Sequence, residues 1–380
     1  MREWQKVKLS TIITQCQNTE KIFDMENEHY ITLSSYGKGA HERIIKDGKY
    51  PVPFLGYRVR NGQFIYSRID ARNGAYDIIS PELDGYVVSK DFPVYDIDTE
   101  KVLPRFLLRS VLSSEFINQV KHSSFGATNR MRIKEDVFGN YTIALPPMEQ
   151  QQEIVDILDA VLSIIKSRQS ELSVLDDLVK ARFVEMFENA GYPTERLGSI
   201  CSKITDGTHK TPQYLSEGIT FISAKNIVNG KLNFTDIKHI SEEEYTEIQN
   251  RCQTEKGDIL LSKSGSLGTP VIVETTERLG LFESLAVIKY DRNRILPEFL
   301  CEQLKLDKVQ RQFKSGTKGV AVKHLHLGVI SDTEISVPPL EVQRTFAIFV
   351  AQVDKSKSVI QKSLDETQLL FDKLMQDYFG

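Results

Sequence analysis

Hydrophobic and polar positions along the chain form two kinds of stretch, and the two kinds alternate twice. In one kind, apolar residues step by four and then three over some forty positions. The first such stretch carries Ile154, Leu158, Val161, Ile165, Leu172, Leu175, Val179 and Met186; the second carries Phe346, Val350, Val353, Ile360, Leu364, Phe371, Leu374 and Tyr378. Spacing of this sort marks the seam of a coiled coil. The seam is interrupted at Arg168 and Lys357. Proline is tolerated at a helix start and excluded from its interior, so Pro147 and Pro339 predict where the two helices begin. At 1.5 Å per residue, some 35 to 40 residues give a rod of roughly 50–60 Å. The two stretches are one sequence written twice at a constant offset of 192: Ile143-Ala144-Leu145-Pro146-Pro147-Met148-Glu149 answers to Ile335-Ser336-Val337-Pro338-Pro339-Leu340-Glu341, and Gln151 to Gln343. Two rods with one register are natural partners. Leu158, Val161, Leu172 and Leu175 are expected to face Val350, Val353, Leu364, Phe371 and their neighbours in an antiparallel pair.

The other kind of stretch is strand-rich. In residues 1–142, β-prone runs (Tyr30 to Leu33, Gln63 to Ser67, Gly85 to Val88) are separated by turn signals such as Asn61-Gly62 and Asn73-Gly74. Pro104 then opens a helix predicted from Arg105 to about Val120. After the breaker cluster Asn189 to Pro193 the same layout returns. Asp258 to Lys263 corresponds to Gln63 to Arg68, Phe221-Ile222-Ser223 to Tyr30-Ile31-Thr32, and Leu296-Pro297 to Leu103-Pro104. The predicted organisation is therefore α+β and internally duplicated. It places a mixed α/β domain at 1–142, a spacer helix within 143–190, a second mixed α/β domain at 191–334 and a second spacer helix within 335–380. The two long helices join the domains with pseudo-two-fold symmetry.

Length and composition are ordinary: 380 residues suit two or three domains, and 40% hydrophobic with 26% charged content is globular. No apolar run approaches the roughly 18 residues of a membrane span, and Met1 to Lys6 has no signal-peptide core. The four scattered cysteines, without a CxxC pair, predict a reduced cytoplasmic protein. The overall charge of −4 hides a division. Residues 1–147 carry 20 basic and 18 acidic groups, 148–190 carry 4 and 9, 191–339 carry 19 and 19, and 340–380 carry 5 and 6. The acid excess sits on the helices, so cations clustered on a domain face remain compatible with DNA.

Catalytic motifs are missing. Gly37-Lys38, Gly48-Lys49 and Gly230-Lys231 lack the rest of a phosphate-binding loop. The Pro-Pro pairs are not set in the Asn-Pro-Pro-aromatic context of adenine methyltransferases. His324 and His326 lack a third ligand at metal-binding spacing and are expected to be surface polar residues. What remains is binding chemistry. Arg58, Arg60, Arg68 and Arg72 lie within fifteen residues. Asn129, Arg130 and Arg132 stand in an acid-free run, which Lys318 and Lys323 mirror in the second half. Thr208-His209-Lys210 forms a polar loop, and Lys263-Ser264 follows a strand. Lys and Arg neutralise phosphates and bond guanine edges, and Asn and Gln suit adenine.

The pattern from Leu145-Pro146-Pro147-Met148-Glu149-Gln150-Gln151 to Arg182-Phe183-Val184-Glu185-Met186-Phe187, repeated from Val337 to the chain end, resembles the specificity subunit of Type I restriction–modification systems. The stretch Lys256-Gly257-Asp258-Ile259-Leu260-Leu261-Ser262-Lys263-Ser264-Gly265-Ser266-Leu267-Gly268 looks like the central motif of that family's target-recognition domains. The first half departs from it, reading Gly62 to Asp70 without the glycine-flanked loop. The resemblance implies a non-catalytic subunit that reads a bipartite duplex DNA target through two target-recognition domains. It also implies docking of two methyltransferase subunits and of restriction subunits, with S-adenosylmethionine, ATP and magnesium belonging to those partners and none to this chain. The residues alone leave another reading open: a coiled-coil spacer whose paired globular heads bind protein or another ligand. A self-contained methyltransferase or nuclease is disfavoured by the absent motifs.

Overall fold

The computed structural model describes residues 4–123, 132–188, 190–316 and 324–380. The chain divides into two compact units: Met1–Gln169 with Lys362–Gly380, and Ser170–Gln361. The division therefore cuts through both long helices, Met148–Phe183 and Leu340–Phe379, and not at their ends. Both helices start directly after a Pro-Pro pair, as expected. The first closes in a π-helical turn, Val184–Glu188, which turns Phe187 into the core.

Each unit is built on the same plan. In the first, a four-stranded antiparallel sheet has the spatial order Ile13–Gln15, Val94–Ile97, Phe64–Tyr66, Tyr76–Ile78. In the second, the order is Cys201–Asp206, Leu285–Tyr290, Ile259–Ser262, Pro270–Ile272. Phe64–Tyr66 and Ile259–Ser262 are buried at every position because both of their faces are covered. Phe64 and Tyr66 turn to one core and Ile65 to another; Ile259 and Leu261 turn to one and Leu260 to another. The first unit fills its main core with rings, among them Tyr66 stacked on Phe138 at 4.0 Å. The second uses mainly aliphatic side chains on the sheet, with Tyr290 at a strand end, and takes most of its rings from the helices.

A short antiparallel pair feeds each long helix: Gln5–Lys8 with Thr142–Leu145, and Thr194–Arg196 with Glu334–Ser336. The strand thus delivers the chain into Pro-Pro at a fixed position. Immediately inside the helix, buried Gln151 and Gln343 make the same three hydrogen bonds. Gln151 Oε1 accepts from the Leu103 amide at 2.8 Å, and its Nε2 donates to the carbonyls of Lys101 and Pro146 at 3.0 and 2.9 Å. Gln343 Oε1 accepts from the Leu296 amide at 2.8 Å, and its Nε2 donates to Arg294 and Pro338 at 2.9 and 2.8 Å. Each glutamine ties the start of a long helix to the start of the short helix that packs on it.

The helix expected from Arg105 to Val120 is two helices, Pro104–Leu112 and Ser114–Ser123. Ser113 between them is extended, and its Oγ accepts from the Phe116 amide at 3.2 Å, capping the second. The second unit makes the same break at Leu306, between Pro297–Lys305 and Asp307–Ser315. It also has a helix that the sequence reading passed over, Glu242–Arg251. There Ser241 Oγ accepts from the Glu244 amide at 3.2 Å.

Within the second unit the two long helices run antiparallel. Lys357, which interrupts the apolar seam, pairs with Asp176. Seven residues further along the first helix and eleven back along the second, Phe183 meets Phe346 edge-on at 5.3 Å. The seam does not face itself as one row. Leu158 joins the first unit's core with Phe371, Leu374 and Met375, while Leu175 joins the second unit's core with Val350 and Val353. Val161 is buried; Leu172 and Leu364 are only half-buried.

Candidate nucleic-acid interface

The expected central motif is a rigid frame that both units share. Each frame begins with a side chain folded back on its own turn: the Arg60 amide donates to Gln63 Oε1 at 2.7 Å, and the Glu255 amide to Asp258 Oδ2 at 2.8 Å. The strand follows, and a residue just beyond its end is gripped from two sides. The Arg68 amide donates to Asp91 O and its carbonyl accepts from Ile133; the Lys263 amide donates to Ser284 O and its carbonyl accepts from Leu325. Gln63 Nε2 reaches Asp96 at 2.8 Å, where Lys289 Nζ reaches Asp258 at 2.6 Å. The contact is kept while the polarity of the two positions is exchanged. Only the second unit has the glycine-flanked loop. Gly268 sits there at φ +80°, so close to Gln310 and Phe313 that a Cβ would lie 2.9 Å from each side chain. Gln310 Nε2 donates to its carbonyl at 2.7 Å. Ser262, not Ser264, fastens this loop, through Ser266 and the Thr269 amide; Ser264 is half-buried.

The frame places Lys263 where its sequence neighbours did not suggest. Only 4% exposed, it is a buried cation rather than a loop cation facing solvent, and it is paired with Asp206. Arg251 pairs with the same carboxylate. Burial is the strongest influence on Asp206 and raises its pKa. The hydrogen bonds and charges of Lys263 and Arg251 outweigh it and hold the carboxyl below the usual carboxylate range. His209 stands over this group, 3.4 Å from Asp206, 2.7 Å from Glu283 and 3.1 Å from Arg251 Nη2. Thr208, His209, Lys210 and Arg251 line a cavity of about 280 Å³, together with Glu244 and Glu247. The structure thus brings the expected Thr208-His209-Lys210 loop together with a half-exposed arginine that the sequence reading did not single out. Such a set can donate to phosphate or guanine.

In the first unit the four arginines separate. Arg58 forks onto Glu28 at 2.7 and 2.9 Å, and also donates to Glu20 and the Gly85 carbonyl. The hydrogen bonds to Glu28 push its pKa up, and the side chain serves the local fold. Arg68 is half-buried against the Ile133 carbonyl and Glu135, both at 3.3 Å. Arg72 lies half-buried on the turn Ala71–Asn73. Arg60 is largely exposed and 3.4 Å from Asp96. Arg132 is exposed and 3.1 Å from Asp91. Asn129, Arg130, Lys318 and Lys323 lie outside the described residues.

The described residues hold no cluster of three or more His, Cys, Asp or Glu side chains that could hold a metal ion. His324 precedes Leu325, whose amide donates to the Lys263 carbonyl at 2.9 Å, and His326 precedes the helix Leu327–Asp332. Burial pushes the thiols of Cys201, Cys252 and Cys301 up to about 12, and that of Cys16 up to about 11, so none is a ready thiolate. No helix among the described residues is long and apolar enough to cross a membrane.

Known proteins are similar to this chain. The HindI specificity subunit of Haemophilus influenzae, a Type I restriction enzyme component, is 24% identical over 199 residues, covering 50% of this chain and 40% of that protein. The MjaVIII specificity subunit of Methanocaldococcus jannaschii is 19% identical over 265 residues, 64% of this chain and 62% of that one. This chain thus spans less than two thirds of either relative. A solved Type I restriction–modification S subunit from M. genitalium superposes with a TM-score of 0.53 at 15% identity, covering 100% of this chain and 96% of its own, which is a likeness of fold. The sequence pattern described as the Type I restriction modification DNA specificity domain matches residues 1–174 and again 190–367, and with nearly the whole chain covered by two tandem copies, the protein belongs to that family.

Proposed function

We propose that this chain is the DNA sequence-recognition subunit of a Type I restriction–modification complex and catalyses no reaction itself. Each unit reads one half of a bipartite duplex target, mainly through the major groove, where all base pairs are distinguishable. Two methyltransferase subunits and the restriction subunits dock on the long helices and outer faces. They bring S-adenosylmethionine, ATP and magnesium to a cytoplasmic assembly. The observation that supports this reading best is the repeated frame: the same strand, grips and helix-start glutamine in both units, carrying different side chains around them. A conserved scaffold with divergent polar surfaces suits two readers of two different half-sites.

Binding of the full chain to mixed-sequence duplex DNA across a salt series tests the reading. Each neutralised phosphate contributes about −0.9 to the slope of log affinity against log salt, so a reader of two half-sites should give a slope of about −4 or steeper. Absent or salt-independent binding would favour the alternative, a coiled-coil spacer whose heads bind protein.

A further inference from the structure

The shared frame allows the two units to be matched residue by residue where the sequences have diverged. Tyr95 pairs with Phe64 on one side and Gln15 on the other; Ile288 pairs with Ile259 and Ile204. Phe64 and Ile259 hold the same place in the frame, so Gln15 answers to Ile204. Two positions on, Gln17 answers to Asp206, and Asn18 and Thr19 answer to Gly207 and Thr208. Thr208, His209 and Lys210 of the second unit therefore answer to Thr19, Glu20 and Lys21 in the first, directly after the pair Gln17-Asn18.

A groove opens at that place in the first unit too. It measures about 430 Å³, and its lining includes Gln15, Gln17, Asn18, Thr19 and Arg60. Its chemistry differs from that of the second unit. Gln17 and Asn18 are exposed and adjacent, and among the described residues their side-chain amides make no hydrogen bond. The carboxylates of the groove are already engaged: Glu20 by Arg58 at 2.7 Å, and Asp96 by Gln63 at 2.8 Å and Arg60 at 3.4 Å. What is left to meet a ligand is a pair of free amides, each offering a donor and an acceptor side by side, next to a largely exposed arginine. A side-chain amide matches the N6 donor and N7 acceptor of adenine in the major groove.

We propose that Gln17 and Asn18 read a base edge, with adenine as the matched base, in the half-site of the first unit, while Arg60 lies towards the backbone. The inference rests on the reading of the chain as a duplex-DNA recogniser. The occupant follows from chemistry. Free amides beside an arginine suit a base edge and its phosphate, and in the second unit the matched pair Asp206-Gly207 leads directly into the hydroxyl, imidazole and cationic groups of Thr208, His209 and Lys210.

The test is selection of duplexes from a randomised library by the full chain and by two variants, with affinities measured at two salt concentrations. The wild type should select a bipartite motif; no motif at all would overturn the DNA-recognition reading itself. Gln17→Ala with Asn18→Ala should lower preference about 10- to 100-fold at one or two neighbouring positions of one half. The other half and the salt slope should stay as they were. Gln17→Glu leaves an acceptor without a donor and should move preference from adenine towards cytosine. It carries the test if the double variant does not fold. A wild-type motif retained by both variants would remove the groove from the recognition surface. Uniform weakening with a salt slope reduced by about one would make these residues phosphate contacts and overturn the base-reading role.

Discussion

Asp206→Asn is expected to destabilise the Ser170–Gln361 unit by about 3–5 kcal/mol, the usual cost of leaving a buried charge without its partner. Lys263 is the charge left behind, and at 4% exposure it is largely withheld from water. An asparagine still offers an oxygen to Lys263 and Arg251, but no neutralising charge. The pH dependence follows from the depressed pKa of Asp206. A carboxyl held below its unfolded value near 3.9 contributes stability that is full above that value and is lost as pH falls through the lower, folded one. The difference between wild type and variant should therefore be complete at pH 7 and shrink below about pH 4. Hydrogen exchange of the Ile259–Ser262 amides reads this unit separately from the other. Asp206→Leu combined with Lys263→Met should recover most of the loss, because an apolar pair of similar volume replaces a buried ion pair at little cost. An Asp206→Asn variant as stable as wild type would mean that Lys263 is solvated after all.

The second large effect belongs to the helix-start glutamines. Gln343→Ala should cost about 2–3 kcal/mol, because it removes a fully buried side chain and strands one amide and two carbonyls that are partly shielded from water. Gln343→Glu is the sharper probe. Its carboxylate can still accept from the Leu296 amide but turns an acceptor towards the Arg294 and Pro338 carbonyls, so it should be no better than alanine. Gln151→Ala should have the same effect in the other unit, since its three partners are equivalent. Loosening the joint between short and long helix should also raise exchange in Pro297–Lys305 for the Gln343 variants and in Pro104–Leu112 for Gln151→Ala. If Gln343→Glu matched wild type, the three-bond joint would not be holding the helix start.

The long helices were legible because their signal is local: a Pro-Pro start and forty positions of four-three spacing. The duplication was legible because Gln151 and Gln343 sit inside matching words. The frame was half-legible. Aligning Asp258 to Lys263 with Gln63 to Arg68 located it, but not what the last residue does. Lys263 finds Asp206 57 residues away, and Arg58 finds Glu28 and Glu20 at separations of 30 and 38; pairings of that range leave no mark on the neighbouring sequence. Counting cations in a window therefore overstated the free arginines. Two features had a readable signal that was passed over. Ser241-Glu242-Glu243-Glu244 is a helix-start pattern. The run Gln15 to Thr19 holds three amides and a hydroxyl, a polar signal that a count of charges does not register. The break at Ser113 was hidden by apolar spacing that continues unbroken from Phe106 to Phe116.

The central claim is that one chain carries two independent readers on a common frame. Exchanging residues 194–334 for the corresponding segment of another family member, and determining the motif methylated in cells that carry the chimera with the methyltransferase subunit, tests it most directly. The account predicts that one half of a split motif changes to the donor's and the other half stays as in the wild type. A chimera that assembles and methylates but has both halves altered, or neither, would contradict it.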